Sequence, residues 1–229
     1  MTTRKEAADI LRGTRDPSKA GWWRAAPADS LEEHIQRLID LEDAARHIQS
    51  WQPLMVPGML QTYQYAVSAI QATTPALPIE EVAERADLRM RRIDSLGHAA
   101  DRRAWFIVGE AALTSPLGGE AVLLEQLEHL LNVAALRPSV TLQVLPAAVA
   151  MHPGIAGGFT MYQVGSQRAV FTETLAGSVV STRADDIAVF TAAYDHLRTN
   201  ALGPAASLEA IDTARRELCV KVESTLWSG

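Results

Sequence analysis

The sequence predicts an α+β fold: a small, partly antiparallel β-sheet packed by helices, with helical N- and C-terminal portions. Three observations lead there. Helical segments come first, then strand-like runs interrupted by one long helix, then helices again. The strand-like runs are short, apolar and bounded by Gly and Pro. The chain has 229 residues, 48% of them apolar, which supplies a substantial core.

Residues 4–13 read as a short helix stopped at Gly13, and 14–29 as a loop around Trp22-Trp23. Ser30 and Glu33 have capping-box spacing, and Leu31, Ile35, Leu38 and Leu41 form the stripe of the helix that follows. Ser50 to Thr62 is apolar, carries Pro53, Pro57 and Gly58, and cannot continue a helix. It is expected to pack as irregular backbone, with Gln52 and Gln61 at hand as hydrogen-bond partners. Thr62 is the expected cap of a helix carrying Tyr65, Ala66, Ala69 and Ile70, which Pro75 and Pro78 end. Residues 79–96 form a charged helix whose less polar positions are Val82, Ala86, Leu88 and Ile93.

Trp105-Phe106-Ile107-Val108 reads as a buried strand. Gly118-Gly119 opens a long helix with Val122, Leu124, Leu127, Leu131 and Ala134 inward. Val140, Leu142 and Val144 alternate with polar residues, as in a half-buried strand. Residues 146–158 are a loop. Phe159–Val164 and Ala169–Glu173 form a hairpin across Gly165-Ser166, and Val179-Val180-Ser181 a further strand. Thr182 is the expected cap of a helix with Ile187, Phe190, Tyr194 and Leu197 inward, and a last helix runs over 207–226. Residues 1–20 are read as a short N-terminal helix and linker, and 21–229 as one α+β ligand- or partner-binding domain.

The formal charge is −6 and the Lys and Arg residues are not clustered beyond a diluted N-terminal set, which argues against nucleic acid as a partner. Cys219 is the only cysteine, there is no signal core, and no apolar run is long enough to span a bilayer. A cytoplasmic protein without membrane association is expected. No HExxH or zinc-finger spacing occurs among the six histidines, no P-loop follows Gly118-Gly119, and there is no nucleophile elbow. Neither a metal nor a cofactor is expected. The set Glu125, Glu128 and His129 lacks a matching carboxylate set and reads as a solvated face.

Ile48 to Thr62 with Tyr65-Ala66 resembles the hallmark of an uncharacterised domain. The likeness continues through Gly109-Glu110-Ala111-Ala112-Leu113, Gly118-Gly119, Gln126 to Leu130, Val140 to Pro146, His152-Pro153-Gly154 with Gly158-Phe159, and Glu173 to Gly177. That domain follows an Xre-type helix-turn-helix in many actinobacterial regulators, antitoxin-like and WhiJ-like proteins among them. The resemblance covers roughly residues 20–202, an ordinary domain length. Only about twenty residues precede Gly21-Trp22-Trp23, too few for a groove-reading helix pair. The chain therefore looks like the companion domain without its helix-turn-helix.

Two functions follow as expectations. The first is a binding module, resembling a regulator's sensing domain, that takes a small hydrophobic metabolite or a small partner protein rather than DNA. Trp51, Met55, Met59, Gln61, Tyr65, Gln143 and Phe159 would line its pocket, aromatic and thioether surface being suited to organic ligands. The second is a cofactor-independent enzyme of secondary metabolism, a cyclase, isomerase or dehydratase using the same pocket. His152 would then be the base and Glu110 or Glu173 the acid. The apolar N-terminal loop and the last helix are the surfaces put forward for a homodimer.

Overall fold

The structure is a computed structural model that describes residues 31–95, 102–174 and 177–226, with side chains over 38–92, 102–174 and 178–224. The N-terminal helix and linker, the Ser30–Glu33 box, Trp22-Trp23 and the side chains of Leu31, Ile35 and Ile93 lie outside the described residues.

The elements, in chain order, are α1 (Leu31–Ala44), β1 (His47–Gln52), a 3-10 turn (Gly58–Leu60), α2 (Tyr63–Thr73), α3 (Ile79–Ser95), β2 (Arg103–Gly109), α4 (Ala111–Thr114), α5 (Glu120–Leu136) and β3 (Val140–Leu145). A second 3-10 turn (Pro153–Ala156) follows, then β4 (Phe159–Val164), β5 (Gln167–Thr174), β6 (Gly177–Ser181), α6 (Ala184–Asn200) and α7 (Pro204–Leu226). The six strands form one sheet in the order β3-β2-β1-β4-β5-β6. The α+β expectation holds. Strands β1, β2 and β3 are parallel, joined by helical crossovers, while β4, β5 and β6 add on antiparallel.

One element departs from expectation. His47–Gln52 is a strand at the middle of the sheet, paired to both β2 and β4. Its polar Gln49, Ser50 and Gln52 hide the alternation that places Ile48 on one face and Trp51 on the other. The irregular segment therefore begins at Pro53, where the missing N–H ends the ladder. Two caps also differ. Thr62 precedes α2, but its hydroxyl makes no cap bond; its N–H donates to Gln126 Oε1 at 2.7 Å. Before α6, Arg183 rather than Thr182 occupies the cap position. Ser181 there bonds Asp186 Oδ2 at 2.5 Å and accepts the Arg183 N–H at 3.3 Å.

The sheet is covered on both faces, which explains unbroken apolar runs such as Phe106-Ile107-Val108. Ile48, Phe106, Val108, Leu142, Val144, Tyr162 and Phe171 point to the larger core, with Leu41 of α1, Tyr65 of α2, Leu123, Leu127 and Leu130 of α5, and Ile211 of α7. Trp51, Ile107, Leu145, Phe159, Met161 and Val170 point the other way, onto Tyr194 and Leu197 of α6. The Tyr194 hydroxyl anchors that helix by donating to Trp105 O at 2.8 Å. Edge strand β3 is covered in part by the α6–α7 connection and the start of α7. Val144 N–H donates to Ser207 Oγ at 3.0 Å, and Val144 O accepts from Leu202 N at 2.9 Å. Helix α3 reaches the body mainly through Val82 and Ala86, which pack on Ala66 and Ile70 of α2. No helix among the described residues is long and apolar enough to cross a membrane.

Candidate functional site

The proline-bearing segment is held by side chains, as irregular buried backbone must be. Gln61 Nε2 donates to Val56 O at 2.8 Å, and the Tyr65 hydroxyl accepts the Val56 N–H at 3.2 Å. Gln126 Nε2 donates to Leu60 O at 2.7 Å. Burial pushes the Tyr65 phenol up. Gln61 thus serves the backbone as expected, while the contribution of Gln126, on a helix 65 residues downstream of Gln61, is invisible to local reading.

The residues expected to line one pocket divide between the two faces of the sheet. Met59, Gln61 and Tyr65 are buried on the larger-core side, with Met55 half-buried against it. Trp51 and Phe159 are buried on the α6 side. Gln143 is buried too, and its bonds are structural: its Oε1 accepts from Trp105 Nε1 and its Nε2 donates to Leu202 O, both at 2.7 Å. Strand parity separates these groups, so they do not face a common cavity.

The expected acids and base have local roles or surroundings of their own. Glu110 is exposed and accepts the Ala147 N–H at 2.7 Å, while its own N–H donates to Leu145 O at 3.0 Å. It staples the ends of β2 and β3 together. His152 lies edge-on to Trp51, centroids 5.5 Å apart, on the α6 side. Its Nδ1 is buried with no hydrogen-bond partner, and Trp51 Nε1 donates to Gly154 O at 3.0 Å beside it. Glu173 is exposed on β5 and shares the parity of Ala169 and Phe171, the opposite face from His152. The pairing of His152 with Glu173 is disfavoured by strand parity, which turns the two to opposite faces of the sheet, while Glu110 is engaged by the Ala147 N–H. Of the metal-like set, Glu125 and Glu128 are exposed, whereas His129 is half-buried and burial pushes its imidazole down.

What the fold does bring together is a buried polar cluster between α1, α3 and β4. Glu42 is 1% exposed because it lies on the stripe of Leu38, Leu41 and Ala45. Arg92 of α3 grips it with Nε to Oε2 at 2.6 Å and Nη2 to Oε1 at 2.5 Å. The Tyr162 hydroxyl donates to Oε1 at 3.3 Å. Burial works against the Arg92 charge, but Glu42 outweighs it and the guanidinium is held above its ordinary range. Burial and then Glu42 push the Tyr162 phenol well up. Ser50 and Thr160, paired across β1 and β4, share a hydroxyl bond of 2.9 Å on the same face.

Arg85, Arg89 and Arg92 recur at helical spacing and form one face of α3. Arg85 has Glu81 at 3.8 Å and Arg92 has Glu42. Arg89 is half-buried, and its hydrogen bond goes to a neutral group: Nη1 donates to Gln61 Oε1 at 2.6 Å. Glu173 and Glu42 act on it only through space. Burial, and next the like charge of Arg92, pull Arg89 down to about 10. The charged form is thus disfavoured by the fold yet still present at neutral pH.

This face was missed in the sequence because Arg85, Arg89 and Arg92 are scattered among acids in 79–96. The usable signals were their spacing and the position of Glu42 on an apolar stripe. A shallow open groove of about 630 Å³ lies elsewhere, between the β4–β5 turn and α6, lined by residues such as Arg168, Ile187, Thr191 and Asp195. Among the described residues no group of three or more His, Cys, Asp and Glu could hold a metal ion.

No curated protein matches the chain. The sequence profile of a domain of unknown function, DUF5753, matches residues 35–213. That match starts within α1 and ends within α7, and so takes in every strand of the sheet together with Glu42, Gln61, Arg89 and Arg92. The chain belongs to the DUF5753 family.

Proposed function

We propose that this chain is a non-enzymatic binding module of the kind that accompanies Xre-type helix-turn-helix readers in actinobacterial regulators, and that it recognises its ligand or partner by negative charge. The observation that carries the reading is Arg89. It is a half-buried cation whose hydrogen-bond partner is a neutral amide, beside a second guanidinium. A cation kept in that setting loses hydration without gaining a contact anion, a deficit that an acidic ligand offsets. A purely hydrophobic metabolite has less support, since Trp51, Met59, Tyr65 and Phe159 are core side chains. The cyclase or isomerase alternative also has less support, because strand parity holds His152 and Glu173 on different sides of the sheet and Glu110 is bound to the Ala147 N–H.

A thermal-shift screen tests this. Matched sets of anionic, neutral apolar and cationic metabolites are offered to the whole protein, with acidic and basic peptides alongside. Stabilising hits should fall in the anionic and acidic sets. By linkage a ligand at a hundredfold its dissociation constant adds about 2.7 kcal/mol, a readily measured rise in Tm. Hits drawn mainly from the neutral apolar set would return recognition to a hydrophobic pocket and defeat the charge-based reading.

A further inference from the structure

We propose that the notch above Gly58, walled by Arg89 and Arg92, is a binding site for an oxyanion of the carboxylate or phosphate type. The site deepens the binding-module reading and rests on it.

Three observations carry it. First, position 58 lacks a side chain where one would fit. A methyl group built there meets Arg92 Nη1 at 3.5 Å, Arg92 Nη2 at 3.8 Å and Arg89 Nε at 3.9 Å, all ordinary contact distances. Guanidinium nitrogens from two residues border the open side of Gly58. Second, Arg89 presents an unused edge. Its Nη1 is committed to Gln61, and among the described residues neither Nε nor Nη2 has a hydrogen-bond partner. The Nε–Nη2 edge of a guanidinium matches the two oxygens of a carboxylate or phosphate. Third, the edge is held in place. Gln61 accepts from Arg89 while donating to Val56 O, so the guanidinium is tied through one amide to the buried proline-bearing segment. A preorganised donor pair loses little entropy on binding.

Charge accounting supports the same conclusion. Glu42 and Glu81 neutralise Arg92 and Arg85 in contact, which leaves Arg89 as the member of the three without a contact anion. Glu173 attracts it from beyond ion-pair distance and so competes with an incoming anion rather than replacing it. This gives the site a signature that a merely structural arginine lacks. Removing the Glu173 charge should strengthen anion binding, by roughly two- to fivefold for one screened charge at intermediate range.

The test is a pair of NMR titrations of the full chain at constant ionic strength, one with sodium acetate and one with inorganic phosphate. The Arg89 Nε–H and Gly58 N–H signals are followed. Saturable shifts at both signals are expected, with a dissociation constant on the order of millimolar for such minimal probes. The tighter probe identifies the class, carboxylate or phosphate. Gly58→Val fills the notch and keeps both arginines, and should abolish saturation. Arg89→Lys keeps the charge but removes the fork, and should weaken binding about tenfold. Glu173→Gln should tighten it. Non-saturating drift with both probes overturns the site, and so does saturation that persists unchanged in Gly58→Val and Arg89→Lys. If that happens while the thermal-shift screen still returns anionic ligands, the notch is wrong and the binding-module reading stands. If the screen also fails, both fall.

Discussion

Glu42→Ala is expected to destabilise the protein by roughly 3–5 kcal/mol, the usual consequence of removing one member of a buried ion pair. Glu42 is the carboxylate that contacts Arg92 through two short bonds and receives the Tyr162 hydroxyl. Removing it takes from the Arg92 guanidinium and the Tyr162 phenol the carboxylate they share between α1, α3 and β4. For a domain of this size that corresponds to a fall in Tm on the order of 10 °C. In urea the midpoint should drop with little change in slope, since the folded topology is retained. The companion experiment is Glu42→Met with Arg92→Met. Replacing both ions with apolar side chains removes the buried charge altogether, so the double variant should recover much of the loss. A single variant within 1 kcal/mol of the parent would mean that solvent reaches the pair and that it is not the tie between α3 and the sheet.

Gly109→Ala is expected to be nearly as damaging, for a steric reason. Gly109 ends β2 where the backbone of Pro53 crosses it, and a Cβ at 109 would overlap the Pro53 carbonyl oxygen, with its carbon at 3.0 Å. The obstacle is backbone, and that backbone is fixed by the bonds of Val56 to Gln61 and Tyr65. Relief requires the whole proline-bearing segment to move. Overpacking of this kind costs about 3 kcal/mol or more where the surroundings cannot yield. Gly203→Ala is the control, because a Cβ there meets nothing within 4 Å. Urea denaturation should separate the two by that amount. Equal midpoints would show that the segment is free to shift, and with it the ties that orient Gln61 and Arg89.

Much of the fold was legible because its signals are local. The β4–β5 hairpin, the long helix after Gly118-Gly119 and the inward stripe of α6 follow from alternation, turn residues and 3.6-residue spacing. Strand β1 was not legible. Three of its six residues are polar amides or a hydroxyl, and what makes it a strand is pairing with β2 and β4, which lie more than fifty residues away in sequence. Missing β1 also led to the expected single pocket. Trp51 and Met55 are four residues apart, but strand parity before Pro53 and irregular backbone after it put them on opposite faces of the sheet. A list of apolar residues from the proline-bearing stretch therefore mixed two cores. The arginine face has the opposite history. Its residues look like solvated helix in sequence, and become a site only when Glu42 and Gly58 are carried to them by the tertiary fold.

Recognition of an anion at Arg89 is tested most directly by a crystal structure of the protein grown with selenate, an oxyanion whose selenium scatters anomalously. An anomalous peak is expected in the notch above Gly58, within hydrogen-bonding reach of Arg89 Nε and Nη2, and absent in Gly58→Val. Full-strength peaks confined to exposed arginines such as Arg91 or Arg216, with the notch empty, would contradict it.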